Sequence, residues 1–579
     1  MVTTAEIRAQ LTGPGGMFEL VTEEVLGRPM QVYKQRMRAL REIQQAAVLR
    51  GDQTFLVYGE QQWSFQRFVE TANAVSHALS SELGVSPGDR VAVLSQNNPE
   101  WCLAFWGTVD IDAILVGLNG WWKADEILYG LVDSGAKVLV ADRRRFERIA
   151  GRLDEAPELA HVVLIDADPQ ELASDTADAG ASLHHFSELC SAPSDRFPDI
   201  PIAEDDDAVI FYTSGTTGRP KGAISTHRSM IANMQNTLYV TVESTMLAAS
   251  DGSGGGGLAT DSTVSLLTSP LFHVSGCHSG LVVAMVGGVK IVIPVGRFDP
   301  VEALRLIEQH KVTVWATVPT MVWRVCEHPD RHSFDTSSVT RVAFGGSPSA
   351  DELQRRVAET FPNVESTSNA YGLTETSSVA TVITGNDARR KPASVGPPVP
   401  GVELRIAQLD GSEAPAGQPG EVCVRGAILM KGYWGKPEAT AEAIDADGWL
   451  HTGDIGFVDE EGFLTITDRM KDMIIRGGEN IYCVEIENRL VGHPAIADAA
   501  VIGVPHEELG EEVKAVVQLE PGEHLGVAEI QGWVAEELAN FKVPAYVDIV
   551  KEPLPRNASG KLLKNLLRGQ AEPSLNETL

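Results

Sequence analysis

The stretch FYTSGTTGRPKGA, Phe211 to Ala223, decides how the rest of the chain is read. It follows the apolar AVI and the acidic EDDD, and packs three glycines, three threonines, a serine and a lysine into thirteen residues. Apart from Arg219 and Pro220, every residue from Thr213 to Lys221 (Thr213, Ser214, Gly215, Thr216, Thr217, Gly218, Lys221) is a glycine or carries a donor. Glycines let successive N–H groups converge on phosphate oxygens, hydroxyls add donors and lysine adds charge. The lysine does not directly follow the second glycine, so this is not a Walker A loop. Taken alone, a polar hairpin turn accounts for the composition equally well.

Outward from the loop, short β-rich runs alternate with helical patterns: RVAVLSQ (90–96), AKVLVAD (136–142), HVVLID (161–166), VKIVIP (289–294), VTVWATVP (312–319) and VTRVAFGG (339–346). That rhythm predicts βα units and parallel sheets. DPVEALRLIEQHK (299–311) repeats apolar residues at helical spacing. Leu281 to Gly296 reads as a buried strand or strand pair; with Lys290, Pro294 and two central glycines it does not span a bilayer. AASDGSGGGGLATDS (248–262) reads as a mobile surface loop. From about residue 395 the chain turns to short alternating runs, which predicts antiparallel β structure. Beyond Arg469, VEIENRL and VAEIQGWVAEELANF (527–541) read as helices, while ADAAVIGVP (497–505) and EVKAVVQL (512–519) read as strands.

A chain of 579 residues exceeds what one hydrophobic core organises, so two or more domains are expected. A net charge of -32 repels polyanions and excludes a general nucleic-acid or anionic-membrane binder. Six scattered cysteines without CxxC spacing indicate neither a disulfide framework nor a zinc site. The N-terminus lacks the apolar core of a secretory signal, and a cytoplasmic protein is expected.

The loop resembles the phosphate-loop motif of the adenylate-forming superfamily, which includes acyl-CoA synthetases, luciferases and peptide-synthetase adenylation domains. Four more motifs follow in that family's order: GGSPS (345–349), NAYGLTET (369–376), HTGD (451–454) with DRMKDMIIRGGENIYCVEIE (468–487), and PRNASGKLLK (555–564). The resemblance covers the chain from about residue 50 onward. It implies an α/β protein with a large N-terminal domain, 1–468, of two βα sheet subdomains plus a small β-barrel-like subdomain (about 395–468). Residues 1–50 are an extension, 469–472 a hinge, and 473–579 a small mobile α+β domain.

The implied activity is acyl-CoA ligation: ATP converts a carboxylate to an acyl adenylate, releasing pyrophosphate, and coenzyme A then takes the acyl group. By the same similarity, Thr213 to Lys221 cradle the ATP phosphates, while Gly345, Gly346, Ser347 and Pro348 line the adenine. In NAYGLTET, Asn369, Ala370 and Gly372 border the nucleotide, Tyr371 lies against adenine, Thr374 near the α-phosphate, and Glu375 holds Mg2+. A hard cation satisfied by one carboxylate, phosphates and water suits a lone glutamate. Asp454 takes the ribose hydroxyls and Arg469 contacts the same sugar. Lys561 is the catalytic lysine, bridging carboxylate and α-phosphate; Lys471 is the hinge pivot; Gly477 and Gly478 border the CoA channel. His273 sits at the mouth of an acyl pocket with Gly276, Gly280, Met321, Val322 and Trp323.

The acid is expected to be lipophilic, foremost a medium- or long-chain fatty acid, with aryl and steroid side-chain acids as alternatives. Three other readings stay open: an acyl-AMP ligase loading a carrier protein, a luciferase-like oxygenase, and a non-catalytic binding protein. Oligomeric state is not readable from the sequence.

Overall fold

The computed structural model describes residues 4–172, 180–213, 219–251, 262–345, 351–364, 366–408, 410–477, 479–556 and 562–569. All six β-rich runs become strands of two large sheets. The first sheet orders Lys221–Thr226, Asp207–Thr213, Ile114–Gly117, Arg90–Leu94, Val138–Ala141, His161–Leu164 and Ser182–His185. It is parallel except at its edge, where Asp207–Thr213 and Lys221–Thr226 form an antiparallel pair. The second orders Ser378–Ile383, Ser366–Leu373, Arg341–Gly345, Val314–Thr317, Val264–Leu266, Lys290–Ile293, Thr54–Tyr58 and Gln61–Ser64. It is antiparallel only in its two outermost pairs.

Strand periodicity explains how the sheets stack. Val91 and Val93 face one core while Ala92 and Leu94 face another, as alternating side chains must. The first of these cores also contains Phe55 and Ile291 from the second sheet, so it lies between the sheets. Val57, Leu266 and Trp315 belong to a third core on the second sheet's far face. Helix Pro99–Val109 belongs to the middle core and buries every residue but Glu100. Asn98 caps it by accepting from Trp101 N at 2.7 Å, and Pro99 occupies the first turn, where no N–H is needed.

The expected helix 299–311 runs Pro300–His310, capped by Asp299. The apolar run from Leu281 departs from expectation. A π-helical segment Cys277–Val282 continues as helix Val283–Gly287, and only Lys290–Ile293 is a strand. Gly288, at φ 68°, ends the helix in the left-handed conformation. Continuous apolarity does not distinguish buried helix from strand. Residues 248–251, expected in a loop, close the long helix His227–Asp251; 252–261 lie outside the described residues. The expected helix 527–541 stops at Ala535.

The extension folds as helix Thr4–Thr12 and hairpin Leu20–Val25/Arg28–Tyr33. It packs Ile7, Leu11, Phe18 and Tyr33 around Tyr239 of the long helix.

A third sheet, Val402–Ala407, Gly420–Gly426, Leu450–Val458 and Leu464–Arg469, is an antiparallel meander. It is open among the described strands rather than a closed barrel; Gly396 adds a bridge to Leu464. A C-terminal sheet begins at Ile474 and orders Glu479–Ile481, Ile474–Arg476, Gly510–Leu519 and Ile496–His506, with Tyr546–Val550 beside Gly510–Leu519.

Candidate functional site

The polar loop joins the two edge strands of the first sheet, with Thr213 opposite Lys221 in register. It therefore leaves the carboxyl end of a strand that runs parallel to its inner neighbour, the end where open α/β sheets take ligands. Thr213 and Lys221 are described; Ser214, Gly215, Thr216, Thr217 and Gly218 lie outside the described residues. The loop's return is anchored by Tyr129, whose hydroxyl donates to the Pro220 carbonyl at 2.9 Å.

Residues 431–434 extend this edge. Lys431 N donates to Ile224 O, Ile224 N to Gly432 O, and Trp434 N to Gly222 O, at 2.8–3.0 Å. This places the Tyr433 ring 5.0 Å from Lys221 Nζ, and the Tyr433 hydroxyl donates to Glu375 Oε1 at 2.8 Å. Met430 N donates to the Glu375 carbonyl at 2.8 Å, so one segment fixes both backbone and carboxylate of that residue. Burial and the adjacent Glu375 raise the Tyr433 phenol, which stays protonated and donating. Sequence reasoning passed over Tyr433: it lies 58 positions from its partner in an irregular turn, without periodicity or charge to mark it.

Glu375 sits in the turn Thr374–Thr376, between Ser366–Leu373 and its antiparallel partner. The turn is held by Thr376, whose hydroxyl donates to Ser378 O at 2.7 Å, and by Ser377, whose hydroxyl donates to Ser225 and Ser229 at 3.1 and 2.9 Å. Ser377 and Ser378 adopt φ of 47° and 120°, a strained backbone directly after Glu375. Gly372 answers that geometry: a Cβ there would lie 1.6 Å from the Ser378 carbonyl oxygen. Its identity follows from the protein's own backbone.

Within HTGD, the three residues after His451 bulge from the third sheet. Glu421 pairs with Ile455 and Cys423 with His451, so three residues, Thr452 to Asp454, oppose Val422 alone. Asp454, 3% exposed, accepts from the Tyr371 hydroxyl at 2.8 Å and pairs with Arg469 Nε at 3.0 Å. Burial first, and the Asp454 charge second, push the Tyr371 phenol well above its ordinary value. Asn369 and Ala370 lie on the same strand as Tyr371, and Ala370 pairs with Gly345. Gly346, Ser347 and Pro348 lie outside the described residues.

The acyl-pocket candidates divide. His273 follows Phe272 in a turn, its ring 4.8 Å from the phenyl. Burial pulls its pKa down to about 4, so it is neutral at pH 7 and offers a hydrogen bond rather than a charge. At Gly276 a Cβ would meet the Pro270 carbonyl oxygen at 2.2 Å, and at Gly280 the Leu267 side chain at 2.7 Å. The missing side chains at both positions are thus accounted for by close approach of the protein's own atoms. Val322 is wholly buried in the second sheet's outer core, whereas Met321 and Trp323 are half-buried beside it. His278, not singled out in the sequence, links this segment to the Glu375 turn: its Nδ1 lies 3.0 Å from Ser377 O and its ring stacks on Phe211.

At the junction of the last two sheets, Asp468 accepts from Cys483 N, and Arg568 pairs with Asp472 at 3.1 Å. Lys471 is exposed between them. Gly477, at φ 59°, makes the turn of hairpin Ile474–Arg476/Glu479–Ile481; Gly478 lies outside the described residues. Lys561 also lies outside them, but its loop is pinned on both sides. Arg556 bridges Leu562 and pairs with Asp498 at 2.8 Å, and Lys564 pairs with Glu487 at 2.8 Å.

Residues 43–434 match the family described as "AMP-binding enzyme", and 485–561 its C-terminal domain. A feruloyl-CoA synthase of an Amycolatopsis species is 35% identical over 533 residues, covering 92% of this chain and 97% of the relative. A 3-[(3aS,4S,7aS)-7a-methyl-1,5-dioxo-octahydro-1H-inden-4-yl]propanoyl:CoA ligase of Mycobacterium tuberculosis is 37% identical over 524 residues, covering 89% and 96%. The crystal structure of ATP-bound MatB from Rhodopseudomonas palustris superposes with TM-score 0.77 at 28% identity, covering 92% of this chain and 99% of that one.

Proposed function

The chain belongs to the AMP-binding enzyme family as an AMP-forming acyl-CoA synthetase, and from that premise we propose that its acid is a ring carried on a short acyl chain. ATP and CoA are the family's substrates. Support for the acid comes from the two relatives named above, whose feruloyl and indenyl-propanoyl groups both join a ring to a three-carbon acyl end. The fatty acid expected from sequence is the competing substrate.

In the first half-reaction a carboxylate oxygen attacks the α-phosphorus and the bond to pyrophosphate breaks. In the second the CoA thiolate attacks the acyl carbonyl and AMP leaves. Both reactants of the first step are anionic, so alignment and charge compensation set the barrier. Glu375, held through Oε1 by Tyr433, would present its other oxygen to Mg2+, whose chemistry is to screen the phosphates. Lys221 and the loop it closes would hold the β- and γ-phosphates, with Thr374 near the α-phosphate. Tyr371 would border the adenine, and Asp454, with lone pairs beyond those used by Tyr371 and Arg469, would accept from the ribose diol. Lys561 would neutralise the forming adenylate. Rotation of the domain beyond the hinge at Lys471 would then exchange Lys561 for the Gly477–Gly478 turn and admit CoA. Unpaired cysteines suit a cytoplasmic setting.

The observation that carries the nucleotide-site reading is a pair of polar groups, Tyr433–Glu375 and Tyr371–Asp454–Arg469, contributed by four separate segments. A pyrophosphate-release screen across aryl-propenoic, polycyclic propanoic and straight-chain acids tests the substrate. The ring-bearing acids should give at least about tenfold higher kcat/KM, the value of 1.4 kcal/mol. A straight-chain acid as the preferred substrate contradicts it.

A further inference from the structure

On the face of the third sheet behind the HTGD bulge lies a group of side chains that the ligase reaction does not use. Glu421 and Cys423 are two residues apart on one strand and so share a face, and His451 is Cys423's register partner on the next strand. Cys423 Sγ lies 3.7 Å from His451 Nδ1, and Glu421 Oε2 lies 2.8 Å from the same nitrogen. One ligand atom from each of the three residues falls within 4.8 Å of the others; among the described residues no other such group of three occurs.

These separations suit a tetrahedral ion. Ligands at about 2.3 Å for sulfur and about 2.0 Å for nitrogen stand roughly 3.5 Å apart across a tetrahedral angle. The sulfur–nitrogen separation needs almost no change, and the carboxylate needs a small swing. On the other side of the imidazole a carboxylate stands within reach of the back-bonding partner that metal-bound histidines have: Asp445 Oδ2 lies 3.6 Å from Nε2 and needs a small approach to accept from it. Arg405 Nη2 approaches that same carboxylate at 3.6 Å while the guanidinium covers the Trp449 ring. With Cys423 as thiolate, the three anionic groups and one guanidinium leave two negative charges, the complement of a divalent cation. A thiolate and an imidazole select a borderline-soft ion over Mg2+ or Ca2+.

We propose that Glu421, Cys423 and His451 form a binding site for a divalent cation of the Zn2+ class, with water as fourth ligand, the imidazole proton moving from Nδ1 to Nε2 and the thiol proton released to solvent. The site is coupled to the nucleotide. Glu421 Oε1 accepts from Gly453 N at 3.1 Å, and Gly453 immediately precedes Asp454. Drawing Glu421 onto an ion pulls on the turn that orients Asp454, so occupancy raises the KM for ATP. This coupling rests on the ribose-binding reading of Asp454; the site itself does not.

Titration of the full-length protein with Co2+ tests the site. One equivalent should produce a thiolate-to-cobalt charge-transfer band and the intense visible bands of a tetrahedral ion. Zn2+ should displace it and excess Mg2+ should not. Cys423→Ser should abolish the charge-transfer band, and Asp445→Asn should keep the band with affinity about 10–100-fold weaker. Absence of the band in the wild type, or its persistence in Cys423→Ser, overturns the site. Zn2+ raising the KM for ATP in the wild type but not in Cys423→Ser supports the coupling. Stoichiometric Co2+ binding with an unmoved KM overturns the coupling and leaves the site standing. A protein that binds Co2+ but forms no acyl adenylate contradicts the ligase reading instead.

Discussion

Single residues carry the proposed nucleotide site, and two of them give direct tests. Tyr433 holds the Glu375 carboxylate by one hydrogen bond to a charged acceptor, a type worth about 1.5–3 kcal/mol. Tyr433→Phe keeps the ring beside Lys221 but loses that bond. It should lower kcat/KM about 10–100-fold, with a raised requirement for Mg2+ and a melting temperature lower by only about a few degrees. Equal activity at limiting Mg2+ contradicts the role. Gly372→Ala drives a methyl into the Ser378 carbonyl, where the backbone is already strained. Loss of about 3 kcal/mol or more in urea denaturation is expected, or failure to accumulate as soluble protein. The glycine's place in NAYGLTET was legible in the sequence, but its cause was not, because the colliding oxygen belongs to a turn six residues on.

At the scale of elements, helix Pro99–Val109 brings a carboxylate into the layer between the two large sheets. Asp110, its C-cap, is fully buried, and burial pushes its pKa up to about 7 against the opposing Arg41 charge and the hydrogen bond from Gln44 Nε2 at 2.7 Å. The groups around it are Arg41, Gln44 and Ser76; nearby, burial and Asp206 lift Asp112 to about 6, and burial lowers His227 to about 3. The folded protein thus keeps a proton that the unfolded chain releases near pH 4. This stabilisation is complete below about pH 4 and is lost as pH rises toward 7. Asp110→Asn should flatten the decline in urea midpoint between pH 5 and pH 8; an unchanged slope contradicts the assignment. Elements announced by a short β-rich run or by helical spacing, such as Arg90–Leu94 and Pro300–His310, were legible in sequence. The helix in the run from Leu281 was not, because a segment apolar on every face lacks the polar side that reveals its period.

For the whole molecule, the order of motifs foretold two parallel-rich sheets, an antiparallel subdomain and a small C-terminal domain, and the chain folds in that order. Sequence could not give the contacts that join them. Asp468 of the third sheet accepts from Cys483 N of the C-terminal domain, and such a contact between distant positions leaves no periodic trace. Asp468 precedes the hinge proposed at Lys471 and Cys483 follows it, so a rotation there must break or remake their bond, whereas Asp472 and Arg568 lie on the same side and move together. Asp468→Ala should therefore alter the two half-reactions unequally, measured as pyrophosphate exchange and as thioester formation from preformed acyl adenylate; equal effects on both contradict a gating contact.

The central claim is that one C-terminal lysine serves adenylation and is withdrawn for thioester formation. Lys561→Ala, assayed separately in the two half-reactions, tests it most directly. ATP–pyrophosphate exchange should fall by about 10²-fold or more, as expected when a charge aimed at the transition state is removed, while transfer of the acyl group from synthetic adenylate to CoA stays within a few-fold. Unchanged exchange, or equal loss in both steps, contradicts the claim.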